Sequence, residues 1–362
     1  MDAARTSNGY AGKKRFALPA HIMLAERLQS MIKAGELKPG YRFPTTKVFA
    51  AQLKTYPLAV HEAFKILSGQ GLVERQQRSG TFVSGSSSVL GSVAIYLGFD
   101  IMGASYLGFY RLVYAELTRL LKNEGVRYAS LLDPRGEDEQ DKPWEELASL
   151  AERKKYQGII ALAASGPRMK WISRLAVPSS SSIDLDCRMD DFTEKSVTAL
   201  KGKGCRSVGM ITTYFPDRSM KFSGHFMELA GRNKMKTSRK WIKLPEIETY
   251  VPGPLVERYG YERFLELWNS RQRPEGLVVY PDILLPGVIS AMAHLRIRAP
   301  EDIKLAVHMN KGNGIFCAFP ATFIVTDPAD FAAALIRQLK VKLSGRAAVP
   351  EKIFFKAMEF QT

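Results

Sequence analysis

Residues 32–44 read Ile-Lys-Ala-Gly-Glu-Leu-Lys-Pro-Gly-Tyr-Arg-Phe-Pro, and this stretch decides the fold of the N-terminal part of the chain. The glycine is a signal for the end of one helix, and the proline is a signal that precedes the start of the next helix. The next helical segment places its apolar side chains at the i, i+3, i+4, i+7 spacing of one face, at Val60, Ala63, Phe64 and Leu67. The pattern predicts helices joined by tight turns.

A two-stranded ribbon is predicted directly after these helices. Leu72–Arg75 and Thr81–Val83 are short strand-like runs, and a Gln-Gln-Arg-Ser-Gly turn joins them. Helices followed by such a ribbon form a winged helix-turn-helix, a fold that usually binds duplex DNA. Residues 1–88 carry 13 Lys and Arg against 5 Asp and Glu, which is half of the chain's net charge of +16. This basic excess favours contacts to phosphates.

The N-terminal segment resembles the GntR family of bacterial transcription regulators. The residues that carry the resemblance keep one spacing throughout, and they are Gly35 to Gly40, Pro44 with Thr45 and Lys47, Phe49-Ala50, Val60 to Ala63, and Gly80 to Val83. The resemblance implies a transcription regulator that binds a double-stranded DNA operator.

The recognition helix departs from the pattern of that family. Where the family usually has Ser-Arg-x-Thr-Val-Arg, residues 56–61 are Tyr-Pro-Leu-Ala-Val-His, and a lysine stands where an arginine is usual at position 47. These changes remove arginines suited to guanine and favour contacts of Leu58 and Ala59 with thymine methyl groups. The residues predicted at the DNA are Arg42, Thr45, Lys47, Tyr56, Leu58, Ala59, His61, Lys65, Arg75, Arg78, Gly80 and Thr81.

The sequence predicts four segments. Residues 1–15 are polar and are expected to form a disordered arm, residues 16–84 form the winged helix-turn-helix domain, and residues 85–91 form a linker rich in Ser and Gly. Residues 92–362 alternate short apolar strands with helices, which predicts an α/β domain with parallel sheets. Within it, Ile183–Leu185 and Lys240–Leu244 are predicted strands, residues 179–182 read as a serine-rich low-complexity piece, and residues 328–343 form the closing helix.

This second region resembles the periplasmic-binding-protein-like effector domain of LacI-type regulators. The residues that carry the resemblance are Gly158 to Ile160, Leu200 to Ile211, Gly260-Tyr261, Ile297 to Ile303 and Thr326 to Pro328. The resemblance implies two α/β lobes, a small-molecule effector between them and a homodimer. Polar residues that follow strands are the predicted effector contacts, namely Asp100, Ser105, Tyr106, Ser165, Asp184, Lys221, Asp282 and Asn310, with Trp171 and Phe215 as further stacking faces. Carboxylates, amides and aromatic rings suit a sugar or a sugar derivative.

Catalysis and metal binding find no support in the motifs. Cys187, Cys205 and Cys317 are widely spaced and form neither a disulfide framework nor a metal pattern. Gly202-Lys203-Gly204 precedes its strand and reads as a helix stop, and no phosphate-binding loop or nucleophile-elbow motif occurs. We therefore expect no enzyme activity, no cofactor and no metal. No apolar run reaches a membrane span, and the N-terminus has no signal-peptide core, so we expect a cytoplasmic, nucleoid-associated protein.

Two hypotheses remain open at this point. In the first, a homodimer binds an operator with an affinity that a small-molecule effector modulates by closing the two lobes. In the second, the α/β domain is a ligand-free dimerisation module attached to a DNA-binding domain. A generic α/β enzyme fold is a further alternative for the second region.

Overall fold

The computed structural model divides the chain into two compact units, Met1–Val89 and Leu90–Thr362. Residue-level statements refer to the residues that the structure describes, which are 19–38, 40–69, 72–76, 80–83, 90–101, 108–139, 141–164, 166–213, 216–245 and 253–360.

The first unit is a winged helix-turn-helix. Its elements are α1 (Ala20–Lys33), α2 (Thr46–Gln52), α3 (Pro57–Gly69), β1 (Val73–Gln76) and β2 (Gly80–Val83), and the two strands pair antiparallel. Gly35 has a φ of +78°, a left-handed conformation that glycine adopts without strain and that ends α1. The predicted apolar face of α3 is confirmed, because Val60, Ala63, Phe64 and Leu67 are each 0% exposed.

The second unit contains two lobes, and the first is built on a four-stranded parallel sheet. The strand order is β4-β3-β5-β6, and each neighbouring pair is parallel. Every residue of β3 and β5 is buried, as expected for central strands covered by helices on both faces. The elements in chain order are β3 (Ser92–Leu97), α4 (Gly108–Asn123), β4 (Arg127–Leu132), α5 (Glu145–Glu152), β5 (Gly158–Leu162), α6 (Gly166–Ile172) and β6 (Ser179–Ser181).

The second lobe has a six-stranded sheet in the order β14-β12-β11-β10-β8-β9, parallel except for β14 at one edge. Its core is formed by buried residues of β8, β10, β11 and β12 together with the helices that cover them. The elements are α7 (Met189–Gly202), β8 (Val208–Thr212), α8 (Pro216–Arg232), β9 (Ile242–Lys243), α9 (Gly253–Trp268), β10 (Gly276–Tyr280), α10 (Leu285–His294), β11 (Lys304–Asn310), β12 (Ala321–Thr326) and β14 (Lys356–Phe360).

Three chain crossings join the lobes. The chain passes from β7 (Leu185–Cys187) into α7, returns from β12 into α11 (Pro328–Leu343), and leaves again from β13 (Glu351–Ile353) into β14. Strands β7 and β13 pair in parallel between the lobes. Helix α11 packs in the core of the first lobe, where Phe331, Leu335 and Leu339 lie beside Val93 and Ile160.

The carboxyl ends of the strands in the two lobes face one another. Helix α4 follows β3, and residues 311–314 follow β11 in the other lobe. A Cβ atom built on Gly108, the first residue of α4, would lie 3.2 Å from Asn313 Oδ1. A Cβ on Gly312 would lie 3.6 Å from Leu112 Cδ2, so the two edges are in contact at this point.

Three local predictions are wrong. The serine-rich piece at 179–181 is not low-complexity chain but the buried strand β6, where Ser180 Oγ donates to the Leu335 carbonyl at 2.9 Å. Residues 182–184 form a 3₁₀ turn, and the strand follows at 185–187. The predicted strand 240–244 begins as a 3₁₀ turn at 239–241, which leaves only Ile242 and Lys243 in β9.

Candidate DNA-binding and effector sites

The outward face of α3 carries four of the predicted DNA-binding residues. Tyr56 and Leu58 at its start are 79% and 71% exposed, although both side chains are largely apolar. His61 and Lys65 follow on the exposed side of the helix, where the Lys65 ammonium lies 3.6 Å from Glu62. Ala59 is only half-buried. This face offers two apolar groups, an imidazole and a cation to a partner surface.

A second group of predicted residues gathers between the wing and the start of α2. Arg42, Thr45, Gly80 and Thr81 line one cavity of about 510 Å³ together with Phe43, Pro44 and Thr46. The Arg42 guanidinium lies 5.8 Å from the centre of the Phe82 ring. Thr45 also caps α2, because its Oγ1 accepts from the Val48 amide at 3.4 Å, and Lys47 is exposed in the first turn of the helix.

Arg75 links the wing to the recognition helix. Its Nη2 donates to the His61 carbonyl at 3.3 Å, and its guanidinium lies 5.9 Å from the centre of the Phe64 ring. The side chain therefore positions the wing against α3, and it is exposed enough to reach a phosphate as well. Arg78, which the sequence places between β1 and β2, lies outside the described residues.

The predicted effector residues of the second lobe are buried and bonded to one another. Asp282, in the turn after β10, is 1% exposed, and Asn310, at the end of β11, is 6% exposed. The Asp282 carboxylate accepts from the Asn310 amide and side chain at 3.0 Å and from Asn313 Nδ2 at 2.8 Å. Protein donors thus hold the carboxylate, and its role as an effector contact stays a prediction.

His308 completes this buried network. Its Nδ1 accepts from the Asp282 amide at 3.2 Å, and its Nε2 lies 2.9 Å from Thr326 Oγ1. Burial lowers the pKa of His308, and the nearby Asp282 carboxylate opposes this only in part. A neutral ring that is protonated on Nε2 satisfies both hydrogen bonds.

In the first lobe, Asp184 is also held by hydrogen bonds from other residues of the protein. It closes a capping box with Ser181, whose amide donates to Asp184 Oδ2 at 2.9 Å, and Lys342 Nζ lies 2.6 Å from its Oδ1. Asp100 is exposed just after β3. Ser105, Tyr106, Ser165 and Phe215 lie outside the described residues. Lys221 lies in α8, and its side chain is outside the described set.

Trp171 is not a stacking face for a ligand. It is 5% exposed and packs edge-on against Tyr96 at 5.9 Å, with the Arg135 guanidinium 5.6 Å from its ring centre. The prediction failed because an aromatic residue in a short helix after a strand is equally suited to the core. Two residues earlier, Met169 is buried in the same cluster.

Arg168 is a buried polar residue that the sequence reading missed. It lies in α6, directly after β5, and is 1% exposed. The start of α6 was signalled by Gly166-Pro167, because proline is favoured in the first turn of a helix. Nothing in the sequence indicated that the arginine would point inward.

Among the described residues, no helix is long and apolar enough to span a membrane, and no cluster of three or more His, Cys, Asp or Glu side chains is arranged to hold a metal ion.

Comparisons with known proteins match the two units separately. Residues 22–83 match the model of the gntR family of bacterial regulatory proteins, and residues 197–360 match the periplasmic binding protein-like domain. The HTH-type transcriptional repressor NagR of Bacillus subtilis (strain 168) is 34% identical over 71 residues, which are 20% of this chain and 29% of that protein. The chain spans less than two thirds of the length of the curated relatives it matches.

Solved structures resemble the second unit. A transcription regulator from Lactobacillus plantarum has a TM-score of 0.58 at 14% identity and covers 74% of this chain and 97% of its own. A LacI family transcriptional regulator from Lactobacillus casei, solved with bound glucose, has a TM-score of 0.52 at 14% identity, covering 75% and 99%. At these identities the similarity shows the fold. The chain thus joins a helix-turn-helix segment that matches the gntR family model to a periplasmic binding protein-like domain, whose fold is similar to that of the LacI family structures.

Proposed function

We propose that this protein is a transcription regulator that binds a DNA operator as a homodimer and responds to a small molecule held between the lobes of its second unit. The observation that carries the proposal is the exposed face of α3, where Tyr56, Leu58, His61 and Lys65 project from a helix whose opposite side is fully buried. A helix presented in this way beside a wing suits the major groove of duplex DNA. Such a regulator acts where the chromosome lies, in the cytoplasm.

The second unit supplies the response in this proposal. Two lobes joined by three crossings can close about the paired strands β7 and β13. A ligand that contacts both carboxyl edges binds the closed form better and therefore shifts the equilibrium between forms. The glucose-bound regulator from Lactobacillus casei, which shares this fold, supports a sugar or sugar derivative as the ligand class.

A separate observation supports a second candidate function. Asp282 and Asn310 are hydrogen-bonded to one another, so neither the carboxylate nor the amide donor of this pair is left free for a ligand. This arrangement favours a ligand-free dimerisation domain attached to the same DNA-binding unit.

The experiment selects duplexes from a random pool with the full-length protein and then measures their affinity between about 50 and 200 mM salt. We expect steep salt dependence with a slope near −0.9 for each phosphate contacted. Lys65→Ala should make the slope shallower by about one unit, whereas Lys201→Ala in α7, which removes the same charge from the second unit, should not. An affinity that does not change with salt would contradict DNA binding.

The same assay separates the two candidates. Ribose, glucose and their acidic and phosphorylated derivatives are added to the protein on the selected duplex. A change in operator affinity of five-fold or more by one of them supports the ligand-responsive regulator, because allosteric coupling typically falls at about 5–150-fold. An unchanged affinity across the panel favours the dimerisation domain.

A further inference from the structure

The carboxyl edge of the first lobe contains a topological switch point. Strand β3 lies between β4 and β5, and α4 packs on one face of the sheet whereas α5 and α6 pack on the other. Ligands in open parallel sheets bind in the crevice where the chain diverges in this way. Here the crevice lies at the ends of β3 and β5, where the Gly98 amide donates to the Leu162 carbonyl at 3.0 Å.

Arg168 lies at this switch point. Its guanidinium carbon is 4.4 Å from the centre of the ring of Phe99, the second residue after β3. The side chain is 1% exposed, and among the described residues Nε and Nη1 have no hydrogen-bond partner. Buried guanidinium nitrogens without partners are rare, and each calls for a physical explanation.

The buried carboxylate that follows β4 in the same sheet is already neutralised. Asp133, after β4, receives Arg135 Nε and Nη2 at 2.9 Å each and the Tyr96 hydroxyl at 2.5 Å. Burial alone would raise the pKa of Asp133, but the hydrogen bonds from Arg135 and Tyr96 outweigh it and lower the pKa. Asp133 is therefore an anion that Arg135 balances, and no carboxylate among the described residues pairs with Arg168. Residues 102–107, which follow β3 in the chain, include no acidic residue in their sequence.

We propose that Arg168 binds an anionic group of the effector, a carboxylate or a phosphate, at the switch point of the first lobe. This inference rests on the proposed ligand-responsive function and narrows its ligand class to sugar acids and sugar phosphates. A guanidinium is a planar fork of donors that forms charge-assisted hydrogen bonds with carboxylate and phosphate oxygens, and Nε and Nη1 of Arg168 are without a partner among the described residues. The guanidinium lies over the Phe99 ring, and this cation–π contact does not use its N–H donors.

The test compares matched ligands on the full-length protein by thermal shift at constant ionic strength. The probes are glucose, gluconate, glucose 6-phosphate and 6-phosphogluconate, which share a carbon skeleton and differ in charge. We expect Tm to rise with concentration for at least one anionic probe and not for glucose. Arg168→Met should abolish that rise, whereas Arg174→Met, which removes an exposed charge just after α6, should keep it.

The variants also separate binding from a structural role. Because no described residue pairs with the charge of Arg168, Arg168→Met should melt without ligand at the wild-type Tm or above it. A fall of several degrees would show that Arg168 already has its partner within the protein, and it would overturn the proposal. Arg168→Lys keeps the charge but loses the fork, so it should retain a weaker shift with the same probe.

Other outcomes are equally decisive. An anion-dependent shift that persists in Arg168→Met overturns the proposal and indicates anion binding elsewhere, as on the basic DNA-binding unit. A response to glucose alone that also changes operator affinity overturns it and leaves the proposed function intact. A shift that requires Arg168 without any change in operator affinity supports the site and contradicts the proposed function. Gluconate and glucose 6-phosphate together show whether the bound group is a carboxylate or a phosphate.

Discussion

Replacing Asp282 by alanine distinguishes a structural carboxylate from a ligand contact. The structure surrounds this carboxylate with three protein donors, namely the Asn310 amide, Asn310 Nδ2 and Asn313 Nδ2. Because Asp282 is 1% exposed, its removal leaves these donors facing a small buried space. A carboxylate that served mainly to bind a ligand would instead have hydrogen-bonding positions that are open, or filled by water, in the ligand-free protein.

The magnitude follows from the three donors. A buried donor that loses its acceptor costs about 1–3 kcal/mol, and water that enters the space recovers part of this loss. The lower limit of about 1 kcal/mol for each donor gives a fall of about 3 kcal/mol in the free energy of unfolding. For a unit of this size about 2–4 °C of Tm corresponds to 1 kcal/mol, so Tm should fall by about 6 °C or more.

Thermal and urea unfolding of the full-length protein measure the effect, with Glu228→Ala as the control. Glu228 pairs with Arg232 on α8 of the same lobe, where the two side chains are 56% and 68% exposed. That variant should change stability by no more than about 0.5 kcal/mol. If Asp282→Ala melted as the control does, the carboxylate would not hold the end of β11, and our account of this edge would fail.

Three further predictions concern pH, packing and DNA. Burial places the folded-state pKa of His308 below its ordinary value, so the unfolded chain binds more protons at a pH between the folded and unfolded pKa values. The stability that His308 contributes is therefore complete above about pH 6.5 and falls below that pH by at most about 1.4 kcal/mol per pH unit. His308→Gln should flatten this part of the plot of stability against pH. Gly287→Ala should destabilise by about 3 kcal/mol in urea unfolding, since its Cβ would lie 1.8 Å from the Glu257 carbonyl oxygen, whereas Gly224→Ala in α8, with nothing within 4 Å, should stabilise by about 0.5–1 kcal/mol. Tyr56→Ala and Leu58→Ala should melt as the wild type does but bind the selected duplex roughly ten-fold more weakly, as expected if a leucine-sized apolar contact of about 1.5 kcal/mol is lost. The salt slope should not change, because neither side chain is charged. Unaltered affinity would show that this end of α3 does not touch DNA.

The sequence predicted the elements whose periodicity is strong. The closing helix over 328–343 has the predicted bounds, because Asp327 caps it, Pro328 begins it and its apolar stripe is regular. The apolar face of α3 was predicted for the same reason. The parallel sheets followed from the alternation of apolar strands with helices, since that order admits few topologies.

The errors have a common physical cause, which is burial of polar side chains. A strand of three serines has no hydrophobic signal, yet β6 is buried because Ser180 donates to a carbonyl of α11. Asp282 follows its strand as predicted, whereas Asn310, predicted to follow a strand, is the last residue of β11. Their mutual hydrogen bonds cross from one strand to another, and a third residue, Asn313, donates to the same carboxylate. Sequence spacing does not encode such pairings.

The two carboxyl edges differ in a way that bears on how a ligand would act. In the second lobe the buried carboxylate is satisfied within the protein, whereas in the first lobe the buried guanidinium of Arg168 keeps two nitrogens without a partner among the described residues. A ligand held by Arg168 alone would bind open and closed forms equally and would shift nothing, however tightly it bound. Coupling therefore requires a contact with the other lobe. Asn313 is suited to provide it, because its Nδ2 is held by Asp282 and its Oδ1 lies against Gly108 at the start of α4. An effector that replaces or strengthens this contact would change the closure of the lobes, and through it the affinity for DNA.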